Sequence, residues 1–541
     1  MTQKKSQIII NKSVYLFFML ASMLYCSKSF SQNQILLNRT DIKQTIWGFG
    51  GSANHPVQDL NTKFSTANQK IVLDKLFRTD SDNAGLSIVR LEVNPFRSTD
   101  TDPNNRIQYT HEPADGVWDW NTDQYQRWFA QEAIKRSNGV HFFACPWSPP
   151  GWMKSNNSPT NGGSLNAAFY DKYATYLKTY VDYYRNNLGF DIRWVSVQNE
   201  PTNSTTYASC TYSYSAMDIV AAKVADAIHE LNQGVMVGGP EGATRGISLN
   251  FMNAMSNATK NKLDFIVTHD YTGATNALSG FGKPVINTEV WSESGTDDIT
   301  ITDGIRWANA IKAALVSRNE PGWLYWWLLD ANSGAQGLVV IKSSTVVFPK
   351  RLYAIGQFSR FMREGDLRID ATSTNNNLQV VATKNTDGKA SILVINNSSS
   401  SINSTINGLS TEILEVYRTS ATENLTKLQD ISISSNTVNI SFPGQSITTL
   451  VEKANVSAIA SDKLNNVKVS THPSNGHLVV DFEDNGYTKL ELLDLSGRIL
   501  RSYVIVPLQI SCEMNLSDVN KGVYVLNLTG SKDSILQKVI F

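Results

Sequence analysis

With 541 residues, 41% hydrophobic and 18% charged, the chain is long enough for two or three domains, each with its own apolar core. Its formal net charge of zero supplies no field for a polyanion, which argues against a nucleic-acid partner. No Cys/His cluster has zinc spacing, so no metal and no cofactor are expected.

The chain opens with Lys4, Lys5 and Lys12, then an apolar stretch from Val14 to Tyr25, then the small residues Ser27, Ser29 and Ser31. That order is the pattern of a secretory signal peptide, so residues 1–31 are expected to be removed. The apolar run is too short for a comfortable permanent span, and the mature protein is expected to carry no integral membrane segment. Cys145, Cys210 and Cys512 then remain. An odd number excludes a full disulfide framework and leaves open one bridge between Cys145 and Cys210.

Between Trp47 and Trp327 short apolar runs alternate with helical patterns. The strand candidates are Ile46–Gly51, Leu86–Glu92, Val140–Pro146, Ile192–Asn199, Val235–Gly239, Phe265–His269, Val285–Glu289 and Gly322–Trp327. Several are continuously apolar, as strands covered on both faces must be. Phe169, Tyr173, Tyr176, Tyr180 and Tyr184 recur every three or four residues, and Val220, Val224 and Ile228 do the same; both are helix faces. Eight strands alternating with helices predict a (β/α)8 barrel over residues 47–366. No Gly-rich nucleotide fingerprint follows any strand, which disfavours an open doubly wound sheet.

After Arg368 the pattern changes to short alternating strands separated by Ser, Thr and Asn. Residues 367–453 read as a side β-sandwich, and 35–46 have the same character and are expected to pair with it. A linker at 454–465 leads to a small all-β module over 466–541, with Gly-bearing turns at His472–Gly476 and Leu495–Arg498. This module resembles the C-terminal sorting domain of the Bacteroidetes type IX secretion system, through its Gly-containing motifs and its terminal Lys538-Val539-Ile540-Phe541. The resemblance implies the type IX machinery as a partner and a secreted or cell-surface location.

Two predicted strands end in glutamate. Glu200 follows Trp194-Val195-Ser196-Val197-Gln198-Asn199, and Glu289 follows Val285-Ile286-Asn287-Thr288. In a parallel barrel the C-terminal strand ends carry the chemistry. The fourth and seventh strands would face two carboxylates across the mouth, as glycoside hydrolysis requires of its acid and its nucleophile or base. Arg90 lies inside an apolar strand, where an unpaired cation is costly; Glu289 is its expected partner, with Glu92 as the competing one. Asn199 can bond a sugar hydroxyl, and Tyr271 can donate to Glu289. His269 reads equally as a site residue or a packed one. Trp147 and one of Trp326 and Trp327 are expected to stack on sugar rings, strand alternation sending the other into the core.

Gly48-Phe49-Gly50-Gly51-Ser52, Pro146-Trp147-Ser148-Pro149-Pro150-Gly151-Trp152-Met153-Lys154, Gln198-Asn199-Glu200-Pro201 and Thr288-Glu289 together resemble glycoside hydrolase family 30 over residues 35–453. Tyr207-Ala208-Ser209-Cys210 is similar to its xylanase branch. The resemblance implies a retaining mechanism with Glu200 as acid/base and Glu289 as nucleophile, acting on a β-linked polysaccharide, above all xylan. Members specific for glucuronoxylan carry an arginine pair after the eighth-strand tryptophans. Here Leu328-Leu329-Asp330-Ala331-Asn332 stands instead, which argues against dependence on glucuronate. β-1,6-Galactan and β-1,6-glucan remain as alternative substrates, and a non-catalytic surface glycan-binding protein as an alternative role.

Overall fold

A computed structural model describes residues 33–540, apart from 54–55, 138, 273–277, 293–296, 332–334, 343–344, 434, 454–466, 473–476, 483–486, 495–496, 507–510, 521 and 531–533. The expected signal peptide and linker therefore lie outside the described residues. The chain divides into two units, residues 1–453 and 454–541. Among the described residues no helix is long and apolar enough to cross a membrane.

Strand β1 (Asn33–Thr45) is followed by the barrel strands β2 (Gly48–Ser52), β3 (Ile88–Val93), β4 (His141–Pro146), β5 (Ile192–Ser196), β6 (Met236–Gly242), β7 (Phe265–His269), β8 (Val285–Glu289) and β9 (Gly322–Asp330). Each pairs in parallel with the next, and β9 returns to β2 with Gly48 opposite Gly322, so the barrel closes. Closure at that seam needs glycine, since a Cβ on Gly322 would sit 2.5 Å from the carbonyl oxygen of Gly48.

Alternation separates two cores. Val89, Leu91, Phe142, Ala144, Val195 and Ile266 point outward to the helices, while Ile88, Phe143, Trp194, Phe265, Ile286 and Leu324 fill the barrel. Both sets are apolar, which is why these strands read as unbroken runs. The tyrosine stripe forms helix Tyr170–Asn186, burying Tyr173, Tyr176, Tyr180 and Tyr184. The second predicted helix runs Tyr214–His229, with Ser213 capping it by accepting from the Ala216 N–H.

Three strands end about three residues from where their apolar runs suggest. β5 stops at Ser196, β6 runs on to Gly242, and β9 runs on to Asp330. β9 also pairs in parallel with β10 (Gly337–Lys342), which forms a hairpin with β11 (Thr345–Val347).

Strands from Leu367–Ser373 to Ser446–Glu452 form the β-sandwich around Ile369, Val380, Ile392, Val394, Leu414 and Leu450. β1 joins it, antiparallel to Leu367–Ser373 and parallel to Ile402–Asn407, and buries Ile35 in the same core. The second unit contains a three-stranded and a four-stranded sheet around Leu478, Val480, Leu490, Leu492, Leu526 and Leu528.

Candidate active site

The C-terminal ends of the barrel strands surround a cavity of about 570 Å³, lined among others by Trp147, Glu200, Tyr207, Tyr271, Glu289 and Trp326. Its floor is organised by Arg90, a fully buried guanidinium on β3. Nη1 donates to Glu289 at 2.8 Å and to Ser52 at 3.1 Å; Nη2 donates to Asn199 at 2.6 Å and to Glu241 at 2.9 Å. The Trp147 ring lies 4.2 Å from the guanidinium carbon, covering it with an aromatic face. The competing Glu92 pairs with Arg106 instead, which also holds Asp102 at 2.6 Å.

Glu289 accepts two bonds, from Arg90 on one oxygen and from the Tyr271 hydroxyl at 2.5 Å on the other. Burial pushes its carboxyl up, against the pull of His269, Arg90 and the Tyr271 hydroxyl, with Glu200 adding a further upward push. Two donors aimed at its two oxygens oppose that rise by stabilising the charged form.

Glu200 lies beyond the end of β5 on backbone clamped from both sides. Asn199 N–H donates to Pro146 O at 2.9 Å on β4, and Glu200 N–H donates to Glu241 O at 2.9 Å on β6. Glu200 and Glu241 both have left-handed backbone, with φ of 43° and 28°, sparsely populated for residues with a Cβ. That turn places the Glu200 carboxyl where Asn203 donates to one oxygen at 2.6 Å and His269 Nδ1 meets the other at 3.0 Å. Asn199 has its amide oxygen held by Arg90, so its NH2 group is directed away from the guanidinium.

His269, at the end of β7 and fully buried, faces all three glutamates: Nδ1 on Glu200, and Nε2 at 3.5 Å from Glu241 and 3.8 Å from Glu289. Burial disfavours its charge, yet Glu289, Glu200 and Glu241 raise its pKa to about 10. One carboxylate oxygen of Glu200, one of Glu289 and a ring nitrogen of His269 lie within 4.8 Å of one another. Such a trio has the composition of a metal site, but a doubly protonated imidazole has no lone pair for a metal. The cluster suits proton transfer instead.

Glu241 escaped the sequence reading. Its signal was a glutamate closing an apolar strand, as at 200 and 289, but Gly238-Gly239-Pro240 precedes it and reads as a turn. In the structure β6 continues through that segment. Glu241 accepts from Arg90, from Thr288 Oγ1 at 2.5 Å and from Cys145 Sγ at 2.9 Å. Burial alone would raise its carboxyl; Arg90 and His269 hold it well below the usual carboxylate range. Cys145 is thus a thiol of this network, and both it and Cys210 are free, so the bridge left open above is not formed.

Trp326 and Trp327 both line the cavity, where alternation predicted one in the core. A register shift explains this: Gly51 lies opposite Tyr325 and Ser52 opposite Trp327, so Trp326 is bulged out of the ladder. The two indoles stack at 5.1 Å and 22°, and Trp326 lies 5.9 Å from Trp147. Tyr207 adds a ring partly open to solvent, whose hydroxyl is pushed up to about 12 by partial burial and by Glu200 and Glu289. Asp330 is buried and accepts from the Gln336 N–H at 3.1 Å.

Residues 32–264 match the family model for O-glycosyl hydrolase family 30, residues 367–450 the glycosyl hydrolase family 30 beta sandwich domain, and residues 472–541 the secretion system C-terminal sorting domain. Glucuronoxylanase XynC of Bacillus subtilis is 28% identical over 461 residues, covering 80% of this chain and 96% of that protein. Endo-1,6-beta-D-glucanase of Neurospora crassa is 23% identical over 389 residues, 66% of this chain and 79% of that protein. The catalytic domain of xylanase C from Talaromyces cellulolyticus superimposes with a TM-score of 0.66 at 25% identity, covering 78% of this chain and all of that one.

Arg90→Met would leave Glu241 and Glu289 buried beside each other without their shared cation. Urea unfolding is expected to show a loss of about 3–5 kcal/mol; a loss under about 1 kcal/mol would contradict the network described here.

Proposed function

Because the chain belongs to glycoside hydrolase family 30, we propose that it is a secreted retaining endo-β-1,4-xylanase that does not require glucuronic acid branches. The observation that carries the mechanism is the approach of Glu200 and Glu289 oxygens to within 4.8 Å. A retaining pair stands about 5–5.5 Å apart, whereas an inverting pair stands about 6.5–9.5 Å apart to admit a water. Glu289, held by Arg90 and Tyr271, attacks the anomeric carbon and forms a glycosyl ester. Glu200 gives its proton to the departing glycosidic oxygen. Glu200 then takes a proton from water as that water attacks the ester, which releases the sugar with its β configuration.

Asn199 supports this reading: Arg90 fixes its amide oxygen, and the remaining NH2 can bond the sugar 2-hydroxyl, an interaction that strengthens as positive charge develops at the anomeric centre. His269 lies beside both Glu200 and Glu289 and is the second cation, with Arg90, facing the three carboxyls. Trp147, Trp326 and Trp327 provide ring faces for sugar stacking.

The substrate reading rests on charge. Arg106 is a cavity-lining arginine already bound by Glu92 and Asp102, and residues 328–336 contain neither Arg nor Lys. A uronate needs a free bidentate cation. β-1,6-Glucan is the second reading, favoured by the likeness to the fungal endo-1,6-glucanase. The sorting-domain match supports export through the type IX machinery, and the basic-apolar-small order of residues 1–31 supports a cleaved signal peptide.

Product analysis on neutral arabinoxylan, glucuronoxylan, β-1,6-galactan and β-1,6-glucan tests the assignment. Xylo-oligosaccharides are expected from both xylans, with kcat/KM within about threefold, no more than about 0.7 kcal/mol of preference. Glu289→Ala should abolish turnover, while Glu200→Ala should retain hydrolysis of activated aryl glycosides. Inactivity on xylan, or undiminished rates in Glu289→Ala, would contradict it.

Tyr271→Phe removes a donor that favours the ionised form of Glu289, so the carboxyl pKa should rise. The acid limb of kcat/KM is expected to move up by about one pH unit, corresponding to one charged hydrogen bond. A profile unmoved on the pH axis would mean that Tyr271 does not hold the nucleophile.

A further inference from the structure

Away from the cleft, one tryptophan stands off the fully buried face of its helix. Helix Gln124–Arg136 buries Gln126, Phe129, Ala130 and Ala133. Positions 124, 127, 128 and 131 form the opposite stripe at i, i+3, i+4 and i+7. Trp128 sits on that stripe, half-buried, between the exposed Gln124 and Gln131. One side of the indole packs against the apolar core. Two grooves meet at the rest of it. The first, about 240 Å³, is lined by Asn121, Gln124, Arg127, Trp128 and Gln131. The second, about 300 Å³, continues from Trp128 past Thr66 and Gln69 on the neighbouring helix.

The nearby Trp120 is committed to packing, stacked on Tyr183 at 3.8 Å and on Trp118 at 5.1 Å. Trp128 differs: its ring contact among the described residues is tilted edge-on to Phe129, at 6.4 Å and 61°. The cationic side chains along the grooves are all bonded within the protein. Arg127 donates to the carbonyls of Trp120 at 2.5 Å and Thr122 at 3.2 Å. Arg136 pairs with Glu132 at 2.6 Å and with Asp74 at 2.7 Å, and Lys70 pairs with Asp74. What the surface offers is an indole and several amides with both donor and acceptor groups. A polyanion or an acidic peptide finds no cation there whose N–H groups are without protein partners. A neutral polyhydroxyl chain finds a ring for its C–H faces and amides for its hydroxyls.

We propose that the Trp128 groove is a second glycan-binding site, taking a segment of the neutral β-linked polysaccharide that the cleft hydrolyses. This rests on the hydrolase reading above. Holding a second stretch of one polymer raises the effective concentration of chain at the cleft.

The test is affinity electrophoresis of the full-length chain in native gels containing soluble arabinoxylan or β-1,6-glucan, with Glu289→Gln as the non-hydrolysing background. In that background Trp128→Ala, and separately the surface pair Gln124→Ala with Gln131→Ala, are expected to weaken polymer retardation about three- to tenfold. Circular dichroism melting reports whether each variant is folded, and the glutamine pair decides the matter if Trp128→Ala is not. Retardation equal to the background in the folded variants, or no retardation of the background by either polymer, overturns the second site. Failure of the unmutated enzyme to hydrolyse any of the polysaccharides is a separate result that overturns the hydrolase reading.

Discussion

A guanidinium sealed inside a barrel must be surrounded by acceptors, and Arg90 sets that requirement for the whole site. Removing such a group from water costs several kcal/mol, returned only where geometry and hydrogen bonding are good. Three strands and one segment answer it: β2 with Ser52, β6 with Glu241, β8 with Glu289, and the stretch after β5 with Asn199. Trp147, just past β4, covers the face that no carboxylate reaches. Residues far apart in the chain are thereby tied to one planar cation, and the positions of Asn199 and Glu289 follow from its fork.

Charge is the second consequence. Arg90 and a protonated His269 stand among Glu200, Glu241 and Glu289. Two cations balance two carboxylates, so a third carboxyl in the cluster is the natural seat of a proton. Glu241 is pinned ionised by Arg90, Thr288 and Cys145, and Glu289 receives two donors. Glu200 is held by a neutral amide and the shared imidazole, a weaker donor set than that of either neighbour. One barrel mouth thus gives its glutamates unequal donor sets, the asymmetry on which the proposed acid and nucleophile roles rest.

Much of this was legible in the sequence because the barrel strands are apolar on both faces. A polar residue ending or interrupting such a run stands out, as Arg90, Glu200 and Glu289 do. The strand at Phe265–His269 and the one at Val285–Glu289 were readable to the residue. Glu241 was not, since glycine and proline before it signal a turn and the neighbouring strands that hold that backbone extended are distant in sequence. Trp326 and Trp327 failed for a related reason: the bulge that turns both to the cavity is set by pairing with Gly51 and Ser52. The bond from Cys145 to Glu241 is a product of closure and leaves no periodic trace. Local pattern carries the strands, whereas register and bulges come from partners.

The central claim is that Glu200 and Glu289 act together by double displacement. Proton NMR of the anomeric signals during hydrolysis of a xylo-oligosaccharide tests it directly. First appearance of the β-anomer, followed by slow mutarotation, is the predicted result. First appearance of the α-anomer would mean direct attack by water and would contradict the account.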